Sequence, residues 1–429
     1  MSPTDDLLDP LLGPWLKGFP HAEPPLRRSA VPAQRWNLWA GDLPLPLAVV
    51  SSGALRHNLA WMQAFARDRG LELAPHGKTT MSPQLFRAQL DHGAWGMTVA
   101  TLAQLRVAVD SGARRVVVAN QVLQRADLIE LDRLLRVTPG LRVLFLLDSP
   151  AQLQAIERLH LPSVFEVLLE LGTSGGRTGV RGHEAAVQLA RQAHASPAVR
   201  LAGVECYEGL KVQGEDDADH LATRGWMERM RSLAVQLADE GLFDSDEVVV
   251  SAGGSGVFDF VAQGLQQIRS HTALAGRPVV GVLRSGCYVT HDHGRYQRLV
   301  SAIDRRIGCD RGLQGALEVW AVVQSVPEPG LALLSAGRRD LSYDIEMPIP
   351  LRWCPQGQRQ PRAAGAAWQV TGLNDQHAHL RLGDDAAGLC VGDRVALGIS
   401  HPCTTFDKWR WMAVIDDEGF VVDALITCF

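Results

Sequence analysis

Leu71-Glu72-Leu73-Ala74-Pro75-His76-Gly77-Lys78-Thr79-Thr80 reads as a short apolar strand running into a turn that presents one lysine. Pro75 and Gly77 stop regular structure, which predicts that Lys78 sits just past a strand end. A lysine placed there can condense with the carbonyl of a cofactor, and burial would lower its pKa and make it nucleophilic. Taken alone, the same ten residues also describe a solvated loop lysine. The pattern around them gives them weight.

Apolar runs recur at 71–74, 96–99, 115–119, 142–147, 164–171, 200–206, 247–251 and 279–284. Between them lie stretches with apolar residues at helical spacing, such as 82–92, 101–112, 124–136, 150–159, 183–195 and 218–240. Several of these stop at a glycine, for example Gly93, Gly112 and Gly241. A doubly wound sheet also alternates in this way. The count of eight favours a (β/α)8 barrel, whose chemistry gathers where strands end and loops begin. We expect an N-terminal extension over 1–45, rich in proline and tryptophan and packed on another domain. The barrel is expected over 46–294. A smaller, mostly β domain is expected over 295–429, where Leu317–Val323, Ala367–Val370 and Ala378–Leu382 read as strands between turns.

The chain of 429 residues is 46% hydrophobic, enough for a large core, and its net charge of -5 comes without a basic run. This argues against nucleic-acid and membrane-surface partners. No apolar run reaches membrane-spanning length, and the N-terminus shows no signal-peptide pattern. Seven cysteines without a framework spacing fit a reducing compartment, so the expectation is a cytoplasmic protein.

Three further constellations could carry chemistry. Ser251-Ala252-Gly253-Gly254-Ser255-Gly256 follows the seventh strand, where backbone N–H groups and serine hydroxyls can cradle a phosphate. Arg284-Ser285-Gly286-Cys287-Tyr288 follows the eighth and could complete the same site. Arg177 and Tyr207 follow the fifth and sixth strands and would face the barrel mouth, where a guanidinium could bond a ring nitrogen or a phenolate oxygen. The ordinary alternatives are a flexible turn, a surface arginine and a rim tyrosine.

His401-Pro402-Cys403 lies in the β domain. In an extended segment, held by the proline, the two side chains would share a face. Imidazole with thiolate suits Zn2+ and leaves positions for water and substrate. A buried histidine beside an inert cysteine is the competing description. His377 and His379 could support such a site or lie on the surface.

Pro75-His76-Gly77-Lys78-Thr79 and His401-Pro402-Cys403, with Gly-Gly-Ser-Gly between them, resemble the D-serine dehydratase and D-threonine aldolase family. The similarity runs from about residue 45 to the C-terminus. It implies an alanine racemase-type fold, pyridoxal 5'-phosphate (PLP) and a metal. It implies Lys78 as the lysine that carries PLP, and His401 and Cys403 as zinc ligands. Gly253, Gly254 and Ser255 would hold the phosphate, and Arg177, Tyr207 and, with a weaker match, Tyr288 would contact the cofactor. In that family, aldolases tend to carry His-x-Asp and dehydratases His-x-Cys, so Cys403 favours dehydration of a D-β-hydroxy amino acid such as D-serine or D-threonine. Retro-aldol cleavage at the same site, a racemase and a non-catalytic PLP-binding regulator are the alternatives. The resemblance also implies a head-to-tail homodimer. It assigns no role to Thr404–Trp409, and the family's N-terminus is usually shorter than 45 residues.

Overall fold

A computed structural model of the chain describes residues 3–212, 214, 216–383 and 388–429. Among these, eight parallel strands form one sheet. They are β1 (Glu72–Leu73), β2 (Met97–Val99), β3 (Arg115–Gln121), β4 (Arg142–Leu147), β5 (Phe165–Leu171), β6 (Val199–Cys206), β7 (Val248–Ala252) and β8 (Val279–Leu283). Each neighbours the next in sequence from β2 to β8, and β8 pairs with β1. The seam between β1 and β2 is closed by Trp95 N–H to Leu73 O and Thr98 N–H to Pro75 O, each 2.8 Å, so the sheet is a barrel.

The strands read as unbroken apolar runs because both of their faces are buried. Val117, Leu144, Leu168, Ala202, Val249 and Val282 fill the interior. Val116 and Val118, one residue to either side of Val117, pack outward with the helices. The helices end where the sequence pattern placed the breaks. Gly93, Gly112 and Gly241 have φ of +98°, +104° and +70°, the left-handed region that a side chain resists at a helix end.

The second sheet is antiparallel around the strand Leu317–Glu328, which lies between Arg394–Gly398 and Leu331–Leu334. The strand Leu47–Ser51 also belongs here. It pairs antiparallel with Leu317–Trp320 and parallel with Ala413–Ile415, so the chain passes through this sheet before it enters the barrel at the helix Ser52–Arg67.

Residues 3–45 cover the same sheet. Phe19 meets Trp36 and Trp411 edge-on, at 5.4 Å each. Lys17 sits 3.6 Å above the Trp409 ring and pairs with the buried Asp340 at 2.9 Å. Arg28 pairs with Asp423 at 2.6 Å. Gln84 of the barrel helix Pro83–Asp91 donates to Leu7 O and Leu8 O, so the extension touches both halves of the molecule. No helix of the described residues is long and apolar enough to cross a membrane.

Candidate active site

The strand ends of the barrel enclose a cavity of about 230 Å3. Lys78, Arg177, Tyr207 and Gly253 line it, together with His76, Glu170, Glu205 and Arg284. Lys78 lies in the single turn Gly77–Thr79, just past β1 as the prolyl-glycyl break predicts. The expectation that burial activates it is corrected: its side chain is exposed to solvent at the cavity mouth. Arg177 lies over the face of Tyr207, 4.7 Å from the ring centre, which orients both side chains.

The cavity floor is charged. Glu205 and Arg284 are both buried and approach to 2.6 Å. That ion pair joins Arg284 Nη1 to Glu205 Oε2, and Arg284 Nη2 donates to Cys206 O at 2.9 Å. His76 Nδ1 is buried and unpaired beside them. Burial, then the charges of Lys78 and Arg284, hold this imidazole well below the usual histidine range, so it is neutral. Glu170 is buried next to Glu205, and its carboxyl is raised to about 7, chiefly by burial and then by the Glu205 charge. Thr178 donates to Glu170 Oε1 at 2.8 Å, and Gln121 donates to Oε2.

The glycine loop after β7 already holds a carboxyl group, although burial raises its pKa. Gly253 N–H and Gly254 N–H donate to the Glu208 carboxylate at 3.1 and 2.7 Å. Gly254 and Ser255 lie beyond the residues that line the cavity. Tyr288 does not line the cavity either. Its ring is buried, and its hydroxyl accepts from Gln89 Nε2 at 3.2 Å.

Above the cavity, the turn Gly77–Thr79 meets the β domain. Thr79 Oγ1 is 3.5 Å from Cys403 Sγ and 3.7 Å from Cys287 Sγ. The segment around Cys403 is not extended as the sequence suggested. Pro402 occupies the first position of a helical turn, Pro402–Phe406, where its fixed φ is favourable, and His401 precedes it with φ of -146°. The two side chains still meet. The imidazole hydrogen-bonds the thiol, and this contact, followed by Asp344, raises His401 to about 9. Contacts with Cys287 and His401 hold the Cys403 thiol well below its usual range.

Sequence reasoning missed the group that fixes His401. Asp344 Oδ2 accepts from Nδ1 at 2.6 Å, and Asp344 Oδ1 accepts from Thr404 Oγ1 at 2.9 Å. Thr405 Oγ1 donates to His401 O at 3.2 Å and accepts from Ser342 N–H at 3.1 Å. Thr404 and Thr405 thus brace this turn. His379 bonds Asn374 at 2.8 Å instead, and neither it nor His377 is shown touching His401. An imidazole with a carboxylate on one nitrogen and a thiol near the other is the usual setting of a metal-bound histidine. Among the described residues, no three His, Cys, Asp or Glu side chains are gathered around one point so as to hold an ion.

Residues 50–276 match the family described as "Alanine racemase, N-terminal domain", and residues 316–415 match the "Putative serine dehydratase domain". The chain is 28% identical over 397 residues to a D-threo-3-hydroxyaspartate dehydratase of Delftia sp. (strain HT23), covering 88% of this chain and 96% of that protein. The structure resembles a D-threonine aldolase from Filomicrobium marinum, with a TM-score of 0.75 and 24% identity over 90% of this chain and 95% of the other. It also resembles a D-threo-3-hydroxyaspartate dehydratase in which a cysteine is replaced by alanine, described as metal-free (TM-score 0.67, 24% identity, 92% and 99% covered). With its barrel and its β domain both matched, this chain belongs to the D-serine dehydratase and D-threonine aldolase family of PLP-dependent D-amino acid lyases.

Proposed function

We propose that this protein is a PLP- and zinc-dependent lyase that eliminates water from D-β-hydroxy amino acids, the unsaturated product then taking up water to release ammonia and a 2-oxo acid. One observation carries the reading: the turn bearing Lys78 and the turn bearing Cys403 touch through Thr79 at the mouth of one charged cavity. The residues suit both groups. An amine, two guanidinium groups and an anion-accepting glycine loop fit a phosphorylated aldehyde. His401, braced by Asp344, and Cys403 fit zinc. Gly253 and Gly254 hold the phosphate only where Glu208 gives up their amides, and Tyr288 acts on the cofactor only through its neighbours.

PLP, when bound, supplies the electron sink for a proton lost from Cα, and a divalent ion makes a β-hydroxyl a competent leaving group. Within that frame, Lys78 Nζ holds the cofactor and then takes the Cα proton from its own side of the cavity. Arg177 and Tyr207, already in contact in the cavity wall, would hold the cofactor there. His401 and Cys403 hold the metal at its rim.

Retro-aldol cleavage uses the same residues, and the likeness to a D-threonine aldolase supports it as the second reading. A non-catalytic PLP carrier has no use for a metal-type donor pair packed against the lysine turn. Incubation with D-serine, D-threonine and D-threo-3-hydroxyaspartate separates the readings. Ammonia and a 2-oxo acid support the lyase proposed here. Glycine or a glycine analogue with an aldehyde replaces it by the aldolase, and conversion of D-alanine to L-alanine replaces it by a racemase. The protein is further proposed to be a homodimer. Tyr343, Met347 and Ile349, near Asp344 in the sequence, are exposed apolar side chains that a second copy would cover, and sedimentation at monomer mass would overturn this.

A further inference from the structure

We infer that Cys287 is a third protein ligand of the metal, so that the centre is a Cys2His site with one open position. The inference rests on the reading of His401 and Cys403 as metal donors given above. Cys287 stands four residues past β8, in the buried turn Cys287–Val289, and its side chain is 6% exposed. Its Sγ lies 3.8 Å from Cys403 Sγ, and both cysteines are free thiols. Two thiolates bound to one tetrahedral zinc at about 2.3 Å sit about 3.8 Å apart. The sulfurs are therefore already at the spacing that a shared ion requires. A disulfide would need them at about 2.0 Å.

The elements around the pair are stiff. Gly286, just before Cys287, lies so close to the lysine turn that an added Cβ would come within 2.4 Å of His76 O, which fixes where the turn leaves β8. On the other side, Asp344 holds His401 by Nδ1, which turns the second ring nitrogen toward Cys403. As they stand, the donors run in a row, His401 to Cys403 to Cys287, rather than around a point. Cys403, the middle donor, is adjacent to both of the others, so an ion beside it is the position that all three can share.

Charge supports the count. Two thiolates and a neutral imidazole cancel the charge of a divalent ion, which suits a position where Cys287 is buried and Cys403 half-buried. A three-ligand centre leaves the fourth position for the substrate hydroxyl. Two soft donors also select Zn2+ over Mg2+ and Mn2+, which carboxylate and carbonyl sites prefer.

The test is zinc-edge X-ray absorption on the reduced, PLP-loaded wild-type protein, which needs no variant. Two sulfur neighbours at about 2.3 Å are expected. One sulfur overturns the role of Cys287 while leaving His401 and Cys403 as ligands. No protein-bound metal overturns the metal reading and this inference with it. In Cys287→Ser, with its PLP absorbance intact, the sulfur-to-cobalt charge-transfer band of the Co2+-substituted protein should fall to about half, and Zn2+ should bind at least about tenfold more weakly. An unchanged band and affinity reduce Cys287 to a packed thiol. Cys403→Ala, run beside it, should abolish metal binding, so the failure of the pair and the failure of the third ligand read differently.

Discussion

At the barrel mouth the reactive side chains stand on strand ends. Glu170 and Glu205 are the penultimate residues of β5 and β6, and Arg284 is the first residue past β8. Their backbones are locked in the parallel ladder, as in the pairing of Glu170 with Glu205. Around His401 the side chains stand on loops and on the single helical turn Pro402–Phe406 instead. His401, Asp344, Ser342 and Thr405 hold one another by side-chain hydrogen bonds of 2.6 to 3.3 Å. A ladder spreads the cost of positioning over many bonds, each contributing about 1 kcal/mol, whereas this loop cluster depends on a few. The mouth should therefore tolerate changes near its reactive groups, while the His401 cluster should respond to residues that never meet the substrate.

The largest expected effect comes from the mouth. Lys78→Ala should cut turnover on the order of 10³-fold or more, by removing both the covalent anchor and the base. It should leave the melting temperature nearly unchanged, because Lys78 is exposed and its turn is held by backbone bonds. Retained turnover, or loss of the PLP absorbance together with loss of fold, would break the comparison. Next comes Cys403→Ala, which should remove the metal and lower turnover by about 10²-fold or more, the several kcal/mol that a Lewis acid contributes. Readdition of zinc should not restore it, whereas wild-type protein stripped by EDTA should recover.

A smaller effect sharpens the contrast. Asp344→Asn keeps the size of the side chain but removes the charge that orients His401 Nδ1. Metal affinity should fall about 10- to 100-fold, as for other carboxylates behind a ligating histidine. Equilibrium competition with a chromophoric chelator measures this directly. An unchanged affinity would mean that the loop cluster is as well buttressed as the barrel.

The same contrast explains what the sequence reveals. The eight strands could be placed to within a residue or two because a strand buried on both faces leaves an uninterrupted apolar run, and a run is visible without a neighbour. Lys78 was legible because Pro75 and Gly77 announce a stop. The floor carboxylates left a usable signal: a glutamate one residue before the C-terminal end of a mostly apolar run, Glu170 in Phe165–Leu171 and Glu205 in Val199–Cys206, each run carrying its other charge, Glu166 or Arg200, near its start. Asp344 left none. It is 57 residues from His401, in a stretch without periodicity, and only the folded loops bring the two together. The shape of the His401 segment was misread for a related reason. Pro402 is compatible with both an extended strand and the first turn of a helix, and the contacts of Thr404 and Thr405 decide between them.

Glu170 puts a number on the cost of a strand-end charge. Its carboxyl lies at about 7 in the folded chain against an ordinary 4.5, because burial and Glu205 disfavour its anion. Below pH of about 4.5 the carboxyl is protonated whether the chain is folded or not, and it carries no penalty. Between there and pH 7 the unfolded chain releases the proton while the folded chain keeps it. The folded state then binds more protons, so stability falls as pH rises, by on the order of 3 kcal/mol once pH exceeds 7. Glu170→Gln should remove that slope. It keeps an acceptor for Thr178 or Gln121, and its new amide N–H can meet Gln121 Oε1, which is buried without a partner. Thermal unfolding should therefore show variant and wild type alike near pH 5 and the variant more stable near pH 8. Parallel curves across that range would mean that the barrel holds this carboxylate charged at little cost, and the ladder would then be a better host for charge than its burial indicates.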